Sequence, residues 1–439
     1  MEQLDVLAVD RELRRCSERW IGFRRALKRG ETPLGDPFRA SRSVCGRATF
    51  QQLGELASDP VAPALRRWVY RFTEQRLNQS WLVTIAEQRR QELHSLSEPE
   101  QGRFSFREMQ LGALRHSALR SEWSAQALKH AATIHQSVAE LWARRQEIAV
   151  RLSLSSPDAM WAPVGGLYEL ADEWLRVTED LWQTKPELPL RSWLEQALAT
   201  EAEVEWPSRL TPRSMLNLFA ESRLLESLEL DPGPLPETLA PASTVRALAR
   251  LGAAFRDAGA PRDQPFSIAH DAFGLERRCY GVLFALLPMN REFLRRRLAA
   301  SKPASASARR ALGVSLLIET RVAALRVLLR RAALRGEKAF KETFEADGYR
   351  ACRTPLPAHA AGAFIQLHQD DLQRFVGLFL GALRQRELVE AHDEDWFRNP
   401  RAIDQLRSEA ALPPEFHASE QRLELGRSAL FEWLREAVD

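Results

Sequence analysis

The chain has 439 residues, with 62 Lys+Arg against 59 Asp+Glu, a formal net charge of +3, 45% hydrophobic residues and 28% charged. Those fractions exclude a disordered chain, and a near-neutral total argues against a dedicated nucleic-acid binder. Only six of the basic residues are Lys and 56 are Arg, a skew that reads as the coding bias of a GC-rich genome.

In chain order, helical periodicity dominates. The first segment runs from Gln3 to Lys28, with Leu4, Leu7, Leu13, Trp20 and Phe23 at helical spacings, and ends in a loop carrying Pro33, Gly35 and Pro37. A long pattern follows from Pro63 to Leu96, and a third from Phe106 to Leu152, which is long enough that a kink or break is expected. Helices are predicted over Gly166–Trp182, Leu190–Glu201 and Thr211–Leu228. The stretch 231–241 then places four prolines in eleven residues. It cannot continue a helix and reads as a linker. Beyond it the patterns predict helices over Ser243–Ala258, Ala269–Leu287, Ala308–Arg335, Ala360–Glu390, Pro400–Ala411 and Ser419–Val438. Alternating β-branched runs are almost absent and no fixed-period repeat is present. The expected fold is all-α: a large multi-helix body with little or no sheet. It divides into an N-terminal helical lobe, 1–205, and a C-terminal helical region, 206–439.

Cys16, Cys45, Cys279 and Cys352 are scattered without a CxxC pair, which argues against a disulfide framework or a thiolate zinc site. The N-terminus lacks the apolar core of a signal peptide, and the most apolar stretches, Cys279–Asn290 and Phe375–Leu383, are too short to span a bilayer. A cytoplasmic protein is expected, with no membrane insertion. There is no phosphate-binding loop, dinucleotide fingerprint or serine elbow. His130 and His135, five apart, read as helix-surface residues. His368 with Asp370 and Asp371, and the run His392 to Asp395, mix metal-ligand types but also suit polar helix ends. Tryptophans 68, 81, 142, 174 and 182 sit among leucines at helical spacing and read as core. The runs Arg295–Arg297 and Arg330–Arg331 read as solvated faces.

The C-terminal half carries a resemblance. Glu394-Asp-Trp-Phe-Arg-Asn-Pro-Arg-Ala402 resembles the "EDWWRNP"-like stretch of zinc metallopeptidases related to oligoendopeptidase F and the thimet-type oligopeptidases. The segment Arg374–Arg386 would be the long helix before it. Tyr280-Gly-Val-Leu-Phe-Ala-Leu-Leu-Pro288 resembles the family's glutamate helix, Arg291–Leu298 follows where a short helix is expected, and Pro261–Phe266 resembles "DPDLPF". Order and spacing agree over about residues 211–412. The family's activity rests on an HExxH helix, two histidines sharing one face, a glutamate that activates water and a third ligand from a later helix. By this resemblance the motif falls on Leu248–Phe255. The histidine positions hold Ala249 and Ala253, the general-base position Arg250, and the third-ligand position Arg278, or Glu276 if the register slips. Asp371 and Phe375 occupy the positions implied for stabilising the tetrahedral intermediate, where Phe offers no donor and an ionised Asp opposes an oxyanion. The substrate-holding sheet of the family would fall on the proline linker.

The resemblance therefore implies a degenerate member without HExxH, with no catalytic residue, no metal and no cofactor: a pseudoenzyme acting by binding or scaffolding a protein or peptide. Two alternatives stand beside it, an enzyme of another class and a helical structural or regulatory subunit. The resemblance also implies that the helix of Ala249–Ala253 packs on the helix of Arg278. Buried guanidinium groups need compensation, supplied internally by acids such as Glu221, Glu226, Glu276 or Asp371, or externally by a partner's carboxylate or phosphate.

Overall fold

A computed structural model describes residues 4–29, 31, 35–56, 58–94, 103–105, 120–162, 165–183, 211, 239, 241–353, 356–365, 367–413 and 419–438. The fold is all-α. In chain order the helices are α1 (Val6–Arg29), α2 (Arg47–Glu55), α3 (Ala62–Leu77), α4 (Gln79–Arg90), α5 (Arg120–Arg151), α6 (Asp158–Trp161), α7 (Leu167–Val177), α8 (Glu179–Gln183), α9 (Pro241–Gly259) and α10 (Phe266–Ala269). They continue with α11 (Leu275–Ala285), α12 (Arg291–Arg297), α13 (Lys302–Arg335), α14 (Glu337–Cys352), α15 (Ala361–Phe364), α16 (Asp371–His392), α17 (Pro400–Ala410) and α18 (Glu420–Val438). One short antiparallel pair, β1 (Glu92–His94) and β2 (Arg103–Ser105), sets Leu93 opposite Phe104.

Local chemistry explains the boundaries. Ser301 caps α13 by accepting from the Ala304 N–H at 3.3 Å, and the helix stops at Gly336, whose φ is +117°. Asn290 caps α12 through the Phe293 N–H at 3.0 Å. Asn399 caps α17 through the Arg401 N–H at 3.0 Å, with Pro400 at the first helical position, where no N–H is required. That cap lies inside the segment resembling the peptidase terminal motif.

Several expected helices are divided. The Pro63–Leu96 pattern breaks at Asn78 into α3 and α4, and the chain then enters β1. The Ala269–Leu287 pattern breaks where Gly274 takes φ +77° ahead of α11. The Ala360–Glu390 pattern breaks at Gln369, in the left-handed region at φ +58°, so that α16 begins only at Asp371. Helices α2 and α14 were not anticipated. The expected helices Leu190–Glu201 and Thr211–Leu228 and most of the proline linker lie outside the described residues, as does the start of the Phe106–Leu152 pattern.

Two apolar clusters form the core. The larger joins α1, α3, α5 and α7 to α13, α14, α16 and α18 through Trp20, Trp142, Trp161, Trp174, Phe375 and Phe379. The smaller collects Leu248, Leu251, Phe255, Leu283, Phe284, Trp396, Phe397 and Leu406. Each such side chain contributes about 1.5–3 kcal/mol on full burial. Trp68, Trp142 and Trp174 are buried as read from their spacing. The early and late parts of the chain are also tied by polar contacts. Asp10 on α1 accepts from the N–H groups of Phe266 (2.8 Å) and Ser267 (2.9 Å) and from the Ser267 hydroxyl (2.7 Å), and the Trp68 indole donates to the His270 carbonyl at 3.2 Å.

Two surface readings are corrected. Arg330 is fully buried: it pairs with Asp158 at 2.6 Å and donates to the Gln369 backbone and side chain, each at 3.1 Å. Likewise His135 is buried, its Nδ1 accepting from the Gly362 N–H at 3.0 Å. Two further arginines are fully buried. Arg145 pairs with Glu74 at 2.8 Å, and Arg321 donates to the carbonyls of Leu175 (2.9 Å) and Ala351 (3.2 Å) and to the Thr178 hydroxyl (2.7 Å). No helix among the described residues is long and apolar enough to cross a membrane.

Candidate binding site

Helices α9 and α11 make the most extensive helix contact among the described residues. Glycines let their backbones touch. A Cβ on Gly252 would collide with the Tyr280 carbonyl, and one on Gly281 would sit 3.0 Å from the Ala249 carbonyl oxygen. Leu248, Leu251, Phe255, Leu283 and Phe284 close the contact as expected from sequence, with the Phe255 ring 5.8 Å from Phe284 and 5.9 Å from Tyr280. Trp396 of the terminal motif meets Phe284 edge-on at 6.4 Å, and its indole donates to Gln385 at 3.2 Å.

Ala249, Arg250 and Ala253 are half-buried on α9. Arg278 leaves α11 on the side facing α16, where a Cβ on Gly377 would lie 2.7 Å from its own Cβ. Its guanidinium contacts Asp370, and Arg374, one turn into α16, reaches the same carboxylate oxygen at 3.0 Å. The carboxylate that holds Arg278 is therefore none of the four named from sequence. Glu276 is taken by Arg256 at 2.6 Å, Asp371 is fully buried beside Arg326 and Arg330, and Glu221 and Glu226 lie outside the described residues. Phe375 is buried against Phe379, 4.8 Å away.

The site is crowded with positive charge. Arg24 from α1 and Arg71 from α3 come within electrostatic reach of Asp370 and of Arg277 on α11. Burial, then repulsion from Arg374, brings Arg278 down to about 10; burial, then repulsion from Arg24 and Arg277, does the same to Arg71. Burial also lowers Arg24, with Asp370 opposing and Arg277 and Arg374 adding to the shift. For Asp370 burial alone would raise the carboxyl, but Arg374 and Arg278 outweigh it and hold it well below the usual range. Asp371 moves the other way: burial, aided by the charge of Asp370, pushes it up to about 6 against Arg326 and Arg330. Burial, then Arg24, holds the His368 imidazole well below its ordinary value, and its Nδ1 meets no donor or acceptor among the described residues.

Ligand chemistry for a metal is poor here. Ala249 and Ala253 offer no lone pair and the Arg278 guanidinium is a cation, so the zinc used by the family that the chain resembles does not fit this donor set. Among the described residues no group of three or more His, Cys, Asp or Glu could hold a metal ion. His392 bonds Gln405 at 2.7 Å and Asp395 pairs with Arg296 at 3.0 Å. Sequence reasoning did not find Arg24 and Arg71. The one available signal was a charge inside the apolar run Trp68–Phe72.

Neither a family model nor a curated protein sequence matches the chain. A solved structure from Chlamydophila abortus, described as a "putative peptidase", superposes with a TM-score of 0.52 at 10% identity, over 91% of this chain and 82% of that one. The fold is peptidase-like. The likeness concerns the fold alone.

Proposed function

We propose that the chain is a degenerate relative of the oligoendopeptidase F and thimet-type oligopeptidases, a pseudoenzyme that binds a peptide or protein without cleaving it by zinc chemistry. One observation carries this reading. The α9 and α11 backbones pack in close contact, and the positions that the resemblance assigns to the zinc ligands and the general base hold Ala249, Arg250, Ala253 and Arg278, of which Arg278 is engaged by Asp370. Loss of a metal removes the reaction and leaves the helical shell, because apolar burial rather than coordination joins the two helices. All four cysteines are free thiols, which supports a reducing, cytoplasmic setting.

The test is elemental analysis of the purified protein with a peptide library assayed for both capture and cleavage. Substoichiometric zinc and peptide capture without chelator-sensitive cleavage are expected. One zinc per chain surviving dialysis, or cleavage abolished by a chelator, would overturn the proposal.

A further inference from the structure

The arginine cluster carries an inference that rests on this reading and sharpens it. Four guanidinium groups, those of Arg24, Arg71, Arg278 and Arg374, converge from four helices on one carboxylate, Asp370. Arg277 is balanced by Asp257 at 2.9 Å. The other acid near Arg71 is Asp271, and its oxygens already accept from the backbone N–H groups of Phe273 and Leu275. Arg24 makes no ion pair among the described residues, and its Nε, like that of Arg71, has no acceptor there. Arg71 is anchored by the Ala272 carbonyl and by the Trp68 ring 5.2 Å away, which aims its head without neutralising it. The cluster is not sealed, since the side chains of Arg278 and Arg374 keep 40% and 35% of their exposure. Asp271, Asp371 and Glu319 also lie within electrostatic reach of the cluster, but Arg24 and Arg71 make no ion pair among the described residues, and a surplus of positive charge beside the water-exposed Arg278 and Arg374 is a receptor for an anion.

We propose that the Arg24, Arg71 and Arg278 faces of this cluster bind a carboxylate of an acidic peptide. Asp370 shows the geometry, since two of the guanidinium groups already grip one carboxylate. Its own charge disfavours a dianionic phosphate more than a singly charged carboxylate.

The experiment uses the full chain and three short peptides of about six residues: amidated oligoglutamate, oligoserine with a free C-terminus and amidated oligoserine, with inorganic phosphate as a fourth probe. Affinity is followed by calorimetry at low and high salt. Oligoglutamate, or oligoserine with its free terminus, is expected to bind in a salt-sensitive way, which tells a side-chain from a terminal carboxylate. That binding is expected to weaken about tenfold or more in Arg24→Gln. Arg71→Lys keeps the charge and loses the fork, so it is expected to weaken binding less than Arg24→Gln. The bound peptide is also expected to raise the melting temperature of the parent and not of Arg24→Gln, which separates a binding defect from a folding defect. Phosphate binding that depends on Arg24, with no carboxylate binding, would overturn the proposal. Equal binding of all three peptides, unmoved by Arg24→Gln, would overturn it while leaving peptide capture standing. If none of these peptides binds, the carboxylate site falls, while the proposed function is decided separately by the peptide library.

Discussion

Asp370 and Asp371 are neighbours in the chain and opposites in chemistry. Asp370 sits between Arg278 and Arg374 and stays ionised far into acid, whereas Asp371 is fully buried and titrates at about 6. Linkage sets the signs. The folded state binds a proton at Asp371 more readily than the unfolded chain, so its ionisation costs stability that grows as pH rises through about 6. Asp371→Asn is therefore expected to gain stability relative to the parent at pH 8 and to lose roughly half of that gain at pH 5, a change on the order of 1–2 kcal/mol across the window. Urea unfolding of both proteins at the two pH values checks this; a difference independent of pH would show that Asp371 binds its proton no more tightly in the fold than in the unfolded chain. Asp370 contributes in the opposite sense. Its stabilisation is present above the ordinary carboxyl pKa of about 4 and is lost as pH falls through the depressed folded value. Removing it strands two partly exposed guanidinium groups, so Asp370→Asn is expected to cost about 1–3 kcal/mol from pH 8 to 5 and progressively less in stronger acid. The sequence showed both acids, and the i, i+4 spacing from Asp370 to Arg374 was legible. Arg278 lies 92 residues from Asp370, and no local pattern announces a partner at that distance.

At the scale of elements, the α9–α11 contact depends on the absence of side-chain atoms. A side chain at Gly252 has to push against the Tyr280 backbone, which cannot rotate away. Gly252→Leu is expected to destabilise the protein by about 3 kcal/mol or more and to separate the two helices. Guanidinium denaturation checks the first effect, and the loss of hydrogen-exchange protection in α9 and α11 the second. An unchanged midpoint would mean that the backbones do not touch. The resemblance made this contact expected, and the spacing of Leu248, Leu251 and Phe255 supplied its apolar face. Helices bounded by Pro, Gly or a capping Asn were legible because their ends are written in local chemistry, as at Asn399 and Gly336, whereas the start of α13 at the Ser301 cap lies six residues before the expected Ala308. The breaks at Asn78 and Gln369 were not. Apolar periodicity runs straight through them, and the packing of the surrounding helices decides where the chain turns.

For the whole molecule, the joining of early and late segments was the least legible feature, because it rests on contacts more than 200 residues apart. Asp10 supplies the acceptors that the first N–H groups of α10 lack, a cap borrowed from another helix. Asp10→Ala is expected to lower stability by about 1–3 kcal/mol. Because one apolar cluster draws on both ends of the chain, the parent and this variant are each expected to unfold in a single transition. Coincident traces from tryptophan fluorescence and far-ultraviolet circular dichroism check it. Two separated transitions in the variant would show that Asp10 holds together parts that otherwise fold alone.

The use of Arg rather than Lys inside the fold has a consequence for chemical modification. Arg145, Arg321 and Arg330 are buried, while Lys129, Lys302 and Lys338 stand on the exposed surface. Amine-directed acylation therefore reaches the rim and leaves the internal charge network untouched. A dicarbonyl reagent selective for guanidinium groups acts on a different population: well-exposed arginines such as Arg14 and Arg151 first, then the half-exposed Arg278 and Arg374, and the buried arginines last. Treated in parallel, two samples of the protein would carry the same kind of charge loss in different places: the acylated one keeps the arginine cluster around Asp370, and the dicarbonyl-treated one loses it before the interior opens.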